Sequence, residues 1–502
     1  MLKMKLNKYI LEITVFVCGA VVMVFELIGS RILGPYLGTS TFVWTSLIGV
    51  ILGSLSFGYY LGGKIADKKS NIRTLSIIIF LSAILIGLTA LTKDYWLIAF
   101  QSIWENAKIV SIITSIILFS PASICLGMIS PYVVKLKINS LNTSASTVGN
   151  LYAISTIGSI AGTFLAGFYL IPHFGTNKLL IILIITLIFV SLITSFRELK
   201  KIKLFFLIIA IIVLVVAPKY ELTLLKEIGF LNFIDIDTAY NRVWVYDRLD
   251  KKTNRYVKIM GINNENHSGM FLDSDELVNE YTKYYDLARH FNPNFKKVLM
   301  LGGAGYSYPK SFLSKYLNAT MDVVEIDPMV TTLAKQYFRL KDDPRLNIFH
   351  EDGRVYLNKT EKKYDVVWGD AFSSRHSLPY QLTTKEAVQR KFDILNGDGV
   401  VVLNIISSIE GDKSKFLRAE YVTYKSIFPQ VYLFPVDTID DGNKVQNIIL
   451  VASKNKKPEN FHDNDPELNK YLQHLWVKPV DVNIPIITDD FAPVDYYINK
   501  TI

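Results

Sequence analysis

The chain has 502 residues, a formal net charge of +9 and only two cysteines, and half of its residues are apolar. That length exceeds one compact core, so more than one domain is expected. Cys18 and Cys125 both lie inside apolar stretches, which excludes a disulfide framework and a zinc site built on cysteine. The cationic excess forms no basic stripe and accompanies no RNA-binding motif, so nucleic acid is not an expected partner. It gathers instead in short loops between apolar stretches, for example at Lys64, Lys68, Lys69 and Arg73. Membrane proteins concentrate cations in such loops.

Residues 9–217 are dominated by long uncharged stretches, whereas residues 218–502 read as soluble sequence. A span needs roughly 20 apolar residues to cross about 30 Å of hydrocarbon. Seven stretches qualify: 9–29, 42–62, 73–92, 109–132, 148–171, 177–196 and 202–218. Glu12 and Glu26 interrupt the first, and further spans follow it, so it is not a cleaved signal peptide. Residues 94–104 (DYWLIAFQSIW) are too short to span and are expected at the interface as an aromatic belt. Gly49, Gly53 and Gly58 in the second span, with Gly158, Gly162 and Gly167 in the fifth, predict close helix packing rather than a pore. Glu26 has two readings, an ion pair with Arg31 near the membrane surface or a contact to a cationic substrate.

The soluble part opens with short β-like runs over 240–273, which predict a small β-subdomain. From 297 onward, strands alternate with helical stretches, the pattern of a parallel sheet with helices on both faces. Ligands bind such sheets at the C-terminal ends of the strands. There the sequence places Gly302-Gly303-Ala304-Gly305-Tyr306, a small-residue turn that lets a ligand approach backbone amides. Glu325 ends the second strand about twenty residues on, where an acidic side chain can hold ribose hydroxyls. Asp352-Gly353 follows the third strand, positioned to bond an adenine amino group, and Asp370 ends the fourth. The four features fall at consecutive strand ends, which favours a nucleotide site over four separate loop charges. The spacing alone suits NAD equally well.

Three segments bear a specific resemblance. Pro293-Asn294-Phe295-Lys296-Lys297-Val298-Leu299, Glu325-Ile326-Asp327, and Tyr364-Asp365-Val366-Val367 leading to Asp370 resemble the spermidine synthase family. The ending Thr488-Asp489-Asp490-Phe491-Ala492-Pro493-Val494 is similar to its membrane-fused members, as is the run from Glu26-Leu27 and Arg31 to Gly62-Gly63-Lys64-Ile65-Ala66-Asp67. The resemblance implies a multi-pass α-helical membrane domain over 1–218, a linker and β-subdomain over 219–290, and a Rossmann-like, methyltransferase-type catalytic domain over 291–502. It implies transfer of an aminopropyl group from decarboxylated S-adenosylmethionine to an amine, in polyamine biosynthesis. Glu325 would then hold the ribose, Asp352 and Gly353 the adenine end, and Asp370 would accept the proton of the amine nucleophile. Gly302, Gly303 and Gly305 would form the nucleoside turn, and Asn241 and Pro379 would pack near the ligand.

The amine side departs from the family. Gly305 stands where members carry an aspartate for the aminopropyl ammonium, and Ser373 stands where a second aspartate follows the catalytic one. Tyr281 falls within a blurred acidic and histidine cluster, and with Ser373 it is the candidate for the acceptor side. The expected partners are a nucleoside donor, an amine acceptor, the lipid bilayer and further copies of the chain. No metal and no tightly bound cofactor is expected, the S-adenosyl donor being a cosubstrate. Two other readings stay open: a methyltransferase on the same sheet, and a transporter or sensor whose soluble domain binds without catalysis. Cation-rich loops place the N-terminus in the cytoplasm, and an odd count of seven spans would put the soluble part outside. Donor supply favours the cytoplasm, with the seventh stretch miscounted as a span.

Overall fold

The computed structural model describes residues 2–104, 106–138, 144–195, 201–209, 230–263, 265–371, 378–456 and 460–498. The chain divides into two compact units, Met1–Leu224 with Asp237–Ala239, and Leu225–Ile236 with Tyr240–Ile502.

The first unit is helical: α1 (Leu2–Leu37), α2 (Thr41–Lys68), α3 (Ile72–Ile103), α4 (Ala107–Lys137), α5 (Ser144–Leu165) and α6 (Thr176–Thr194). A π-helical turn, Ala166–Leu170, and a final turn, Ile171–His173, extend α5. Among the described residues six helices are long and apolar enough to cross a membrane, and they coincide with the first six stretches read from the sequence. Of the seventh, residues 201–209 are helical and the remainder lies outside the described residues.

Residues 94–104 are not a separate interfacial segment, because α3 continues unbroken through them. The cause is an aromatic ladder at i, i+4 spacing, with Trp96 on Phe100 at 5.4 Å and Phe100 on Trp104 at 5.5 Å between ring centroids. Asp94, which would oppose burial, is matched by Lys93 at 2.7 Å and by the Tyr36 hydroxyl at 2.7 Å.

Two helix crossings depend on missing side chains. A Cβ on Gly158 would lie 2.0 Å from the Phe16 carbonyl oxygen, and one on Gly162 would lie 2.5 Å from that of Ala20. Gly58 and Gly62 meet the carbonyls of Ile124 and Met128 on α4 at 2.3 and 2.5 Å in the same sense. Hydrogen bonds between Ser46 and Ser111 and between Ser54 and Ser120, each 2.8 Å, fasten α2 to α4. Gly49, Gly53 and Gly167, by contrast, have open space where a Cβ would stand. Glu12 is answered by Lys137 at 2.7 Å. Glu26 makes no hydrogen bond or ion pair with Arg31 among the described residues, while Arg31 donates to the Thr238 carbonyl at 2.6 Å.

In the second unit, β1 (Leu231–Asp237), β2 (Arg242–Asp250), β3 (Arg255–Ile262) and β4 (Glu265–Phe271) form a four-stranded sheet in chain order, antiparallel from β2 through β4. A seven-stranded sheet follows, built from β5 (Lys297–Leu301), β6 (Thr320–Val324), β7 (Leu346–Phe349), β8 (Tyr364–Gly369), β9 (Leu395–Ser407), β10 (Gln430–Pro435) and β11 (Gln446–Ser453). Its order is β10-β11-β9-β8-β5-β6-β7. The five strands β7, β6, β5, β8 and β9 are parallel. The β10–β11 pair adds an antiparallel edge that the alternating pattern did not disclose. Both faces are covered, hence the near-continuous apolar strands. Val298, Met300, Val366 and Trp368 enter one core and Leu299, Leu301, Val367 and Leu403 the other. The helices that matter to the site are α7 (Ser307–Lys315), α8 (Pro328–Tyr337), α9 (Gly353–Lys359), α10 (Lys385–Ile394) and α11 (Lys415–Lys425).

The glycine crossings give a direct test. Gly158→Leu should abolish a monodisperse peak of the full chain in detergent, because no rotamer removes a Cβ from a backbone oxygen 2.0 Å away. Gly49→Ala, at an open position, should leave elution and thermal midpoint unchanged.

Candidate functional site

The turn after β5 is shaped by what its residues cannot carry. Gly302 has φ +95°, and a Cβ there would lie 2.5 Å from the Asp370 carbonyl oxygen. A side chain at this position is therefore excluded by both strain and space. Ala304 and Tyr306 also adopt left-handed backbone, with φ of 43° and 54°. The Tyr306 ring folds under the turn, so that a Cβ on Gly303 would meet its Cζ at 2.6 Å, and its hydroxyl pairs with Thr331 at 2.8 Å.

Glu325 ties this turn to the end of β6. Its Oε2 accepts from the amides of Gly303 (2.9 Å) and Ala304 (3.1 Å), and its Oε1 accepts from the Asp327 amide (3.0 Å). The side chain is buried, which raises its pKa, while these amide donors act to lower it. Asp352 caps α9 through Oδ1, accepting from the Arg354 amide at 2.8 Å and that of Val355 at 3.0 Å. A Cβ on Gly353 would lie 3.4 Å from the Leu382 side chain, in ordinary contact. Asn241 reaches the acidic end of β6, its amide 3.5 Å from the Asp327 carboxylate, and its own oxygen accepts from Asn263 at 2.7 Å.

Asp370, at the end of β8, is surrounded differently. The Tyr281 hydroxyl donates to Oδ2 at 3.2 Å and the Asn404 amide to Oδ1 at 3.3 Å. Asn447 donates to the Asn404 oxygen at 2.9 Å, which fixes the amide in that orientation. Tyr285 and Tyr308 build an aromatic wall beside it, with ring centroids 5.9 Å (Tyr281–Tyr285) and 5.0 Å (Tyr285–Tyr308) apart. Burial pushes the Asp370 carboxyl up to about 6, against the opposing pull of Tyr285, Asn404 and Tyr281. Among the described residues no group of three or more His, Cys, Asp or Glu could hold a metal ion.

Residues 281–463 match the model of the spermine/spermidine synthase domain. Over 170 residues the chain is 32% identical to the polyamine aminopropyltransferase of Vibrio vulnificus, covering 33% of this chain and 54% of that protein. It is 29% identical over 185 residues to the enzyme of the same name from Alkaliphilus oremlandii, covering 35% and 63% respectively. The chain thus spans between about half and two thirds of these curated relatives. A solved probable spermidine synthase from Corynebacterium glutamicum aligns over 50% of this chain and 88% of its own, at 22% identity and a TM-score of 0.41.

Within residues 281–463, the structure gathers Gly302, Gly303, Gly305, Glu325 and Asp370 around one turn, with Asp352 and Gly353 at the start of α9 and Pro379 just before the turn Tyr380–Leu382. Ser373 lies outside the described residues. Gly305 donates its amide to Ser268 at 3.0 Å, and a Cβ there would press on Ser268 at 2.7 Å and Phe338 at 3.0 Å. An aspartate at this position has no space in this packing. Sequence reading missed Tyr285, Asn404 and Ser268. Asn404 left a trace, as the one polar side chain in the apolar run Val400–Ile406 of β9. Tyr285 falls in the same blurred cluster as Tyr281, where the sequence gives it no role of its own, and Ser268 comes from the other sheet. The segment containing Thr488–Val494 also gains a place: Asp489 accepts from Arg354 and Thr384, both at 2.7 Å, and so pins the chain after Pro379 to α9.

Glu325→Ala should destabilise the domain without ligand by about 1–3 kcal/mol, since it strands buried amide donors. Thermal denaturation of the full chain with and without nucleoside measures this. An unchanged midpoint in the absence of ligand would show that Glu325 is not part of the turn's framework.

Proposed function

We propose that this chain is a membrane-anchored aminopropyltransferase-like enzyme, using decarboxylated S-adenosylmethionine and an amine acceptor. The observation that carries this reading is Asp370, a carboxyl raised to about 6, held by Tyr281 and Asn404 beside the glycine turn. A protonated amine has no lone pair, and free alkyl amines hold their proton up to a pH of about 10. Asp370 binds the ammonium, takes its proton and leaves a neutral nucleophile. The nitrogen attacks the carbon beside the sulfonium, the C–S bond breaks, and its electron pair returns to sulfur as methylthioadenosine departs. Glu325 and the turn it braces present the ribose side, while Asp352, Gly353, Asn241 and Pro379 line the rest of the nucleoside. Gly305 leaves the donor's aminopropyl ammonium without the carboxylate that the family supplies, and Ser373 in place of a second aspartate points to an acceptor other than a simple diamine, with Tyr281 on the acceptor side.

The filled space at Gly305 also supports a second reading, a domain that binds the nucleoside without transferring a group. Incubating the full chain with decarboxylated S-adenosylmethionine and a panel of amines separates the two. Release of methylthioadenosine supports transfer, release of adenosylhomocysteine from S-adenosylmethionine would make it a methyltransferase, and binding without turnover would make it a sensor. Asp370→Asn should lower turnover by about 10²–10⁴-fold with nucleoside affinity retained. In the wild type, kcat/KM should fall about tenfold per pH unit below about 6, as the base form of Asp370 is lost. A flat profile between pH 5 and 7 would remove Asp370 from proton transfer.

The catalytic domain is placed on the cytoplasmic side. Lysines and arginines fill the region before the first apolar span (Lys3, Lys5 and Lys8) and the stretches at 63–73, 133–147 and 197–201, and cation-rich loops stay inside. Supply of an S-adenosyl donor in the cytoplasm supports an even count, which would return the chain to the side of its N-terminus. Alkaline phosphatase fused after residue 225 and at the C-terminus should be inactive in both positions. Strong activity from both would place the domain outside.

A further inference from the structure

Asn404 is buried, and a buried amide has two chemically opposite ends. Its oxygen accepts, its NH2 donates, and the neighbours decide which end faces which. Asp370 is one of those neighbours. The pairing of β8 with β9 ends at Gly369 and Leu403, so Asp370 and Asn404 leave adjacent strands side by side. An ionised carboxylate can only accept, and Asn404 meets it with an N–H at 3.3 Å. That contact favours the carboxylate over its protonated form. With the amide turned over, its oxygen would face Asp370 and favour the protonated form instead.

The other end of Asn404 is held from the antiparallel edge of the sheet. In the register of β9 with β11, Asn447 stands opposite Ile406, diagonal to Asn404 and on the same face. Its amide donates to the Asn404 oxygen at 2.9 Å. The backbone at Asn447 is itself fixed. Its carbonyl accepts from the Val436 amide at 2.9 Å, and the side chain of the preceding Gln446 accepts from the amides of Asp437 and Thr438 at 2.7 and 2.9 Å. The titratable groups that face Asp370 are Tyr281 and Tyr285, with Tyr308 of α7 behind them. Burial pushes all three phenols well above their usual range, so none of them changes charge near neutrality. The proton equilibrium of Asp370 is left to burial and to the hydrogen bonds it receives.

We propose that Asn447 is a positioning residue for Asp370, acting through Asn404: it holds that amide with an N–H toward the carboxylate and so keeps Asp370 in the form that can take a proton. The inference rests on the proposed role of Asp370 as proton acceptor and gives the edge strand a part in it. The test is infrared titration of the detergent-solubilised full chain, following the carboxylic acid C=O band that the wild type shows and Asp370→Asn lacks. This readout needs no turnover. The wild-type midpoint should lie at about 6. Asn447→Leu frees the Asn404 oxygen, and the midpoint should rise by about half to one pH unit, the scale of one hydrogen bond. Asn447→Asp is nearly isosteric but replaces the donor by an acceptor, which draws the NH2 of Asn404 to itself and turns the amide oxygen to Asp370. The midpoint should then rise by about two units. The new charge acts in the same direction, and Asn447→Leu, which carries none, separates the two effects. Asn404→Leu should also raise the midpoint, and in that background Asn447→Leu should add nothing, because its effect passes through Asn404. A midpoint unmoved in Asn447→Leu, with or without a lower thermal midpoint, would overturn the proposal and leave Asn447 a structural residue of the edge. A further rise in the double variant would overturn the path through Asn404. If Asn447→Asp does not fold, Asn447→Leu and the double variant still decide. With turnover, the acid limb of kcat/KM should move with the infrared midpoint. A wild type that releases no methylthioadenosine with any amine overturns the transfer reading alone, and the infrared midpoints then decide the role of Asn447.

Discussion

The catalytic half is organised around one carboxylate that accepts three backbone amides. Glu325 joins the ends of β5 and β6 by holding Gly303, Ala304 and Asp327, and the left-handed residues of the turn are tolerable only because that contact fixes them. Gly302 completes the constraint by bringing the Asp370 backbone to within the reach of an absent Cβ. The turn after β5, the end of β6 and the origin of the Asp370 side chain are thus set by a single packed junction. A site built on strand ends in this way needs little rearrangement to receive a ligand.

Around that junction the acidic residues divide by what they touch. Glu325 and Asp352 are engaged by backbone amides and act as framework, whatever further contact a ligand adds. Asp370 is engaged only by side chains, at longer distances, and burial leaves it titrating near neutrality rather than fixed as a carboxylate. Such a group can exchange a proton at physiological pH. The aromatic wall of Tyr281, Tyr285 and Tyr308 supplies the low-dielectric surroundings that raise it.

The unit of six long apolar helices shows the opposite strategy, in which close approach replaces polar anchoring. Gly158 and Gly162 against α1, and Gly58 and Gly62 against α4, let backbones touch at distances no side chain permits. Lipid offers no hydrophobic drive for helix association, so contact of this kind and the paired serines carry it. Ionisable side chains in this region are either matched, as Glu12 is by Lys137, or left as Glu26 is, without a described partner.

Much of this was legible in the sequence. Six spans, the small β-sheet, the parallel strands and the strand-end positions of Glu325, Asp352 and Asp370 follow from hydropathy and from the change of period between strand and helix, which are local properties. The continuation of α3 through 94–104 was misread because its aromatic ladder and the match of Asp94 to Tyr36 depend on helix geometry and on a second helix. Which glycines are indispensable, which carboxylates are consumed by amides, and why Gly305 admits no side chain were decided only by tertiary packing. Ser268, Phe338 and Asn404 reach the site from remote parts of the chain. Sequence by itself determined the elements and where on them chemistry could sit. Three-dimensional contact alone decided which of those groups are spent on the framework and which remain free to act, because that depends on the neighbours each side chain meets and not on its place along the chain.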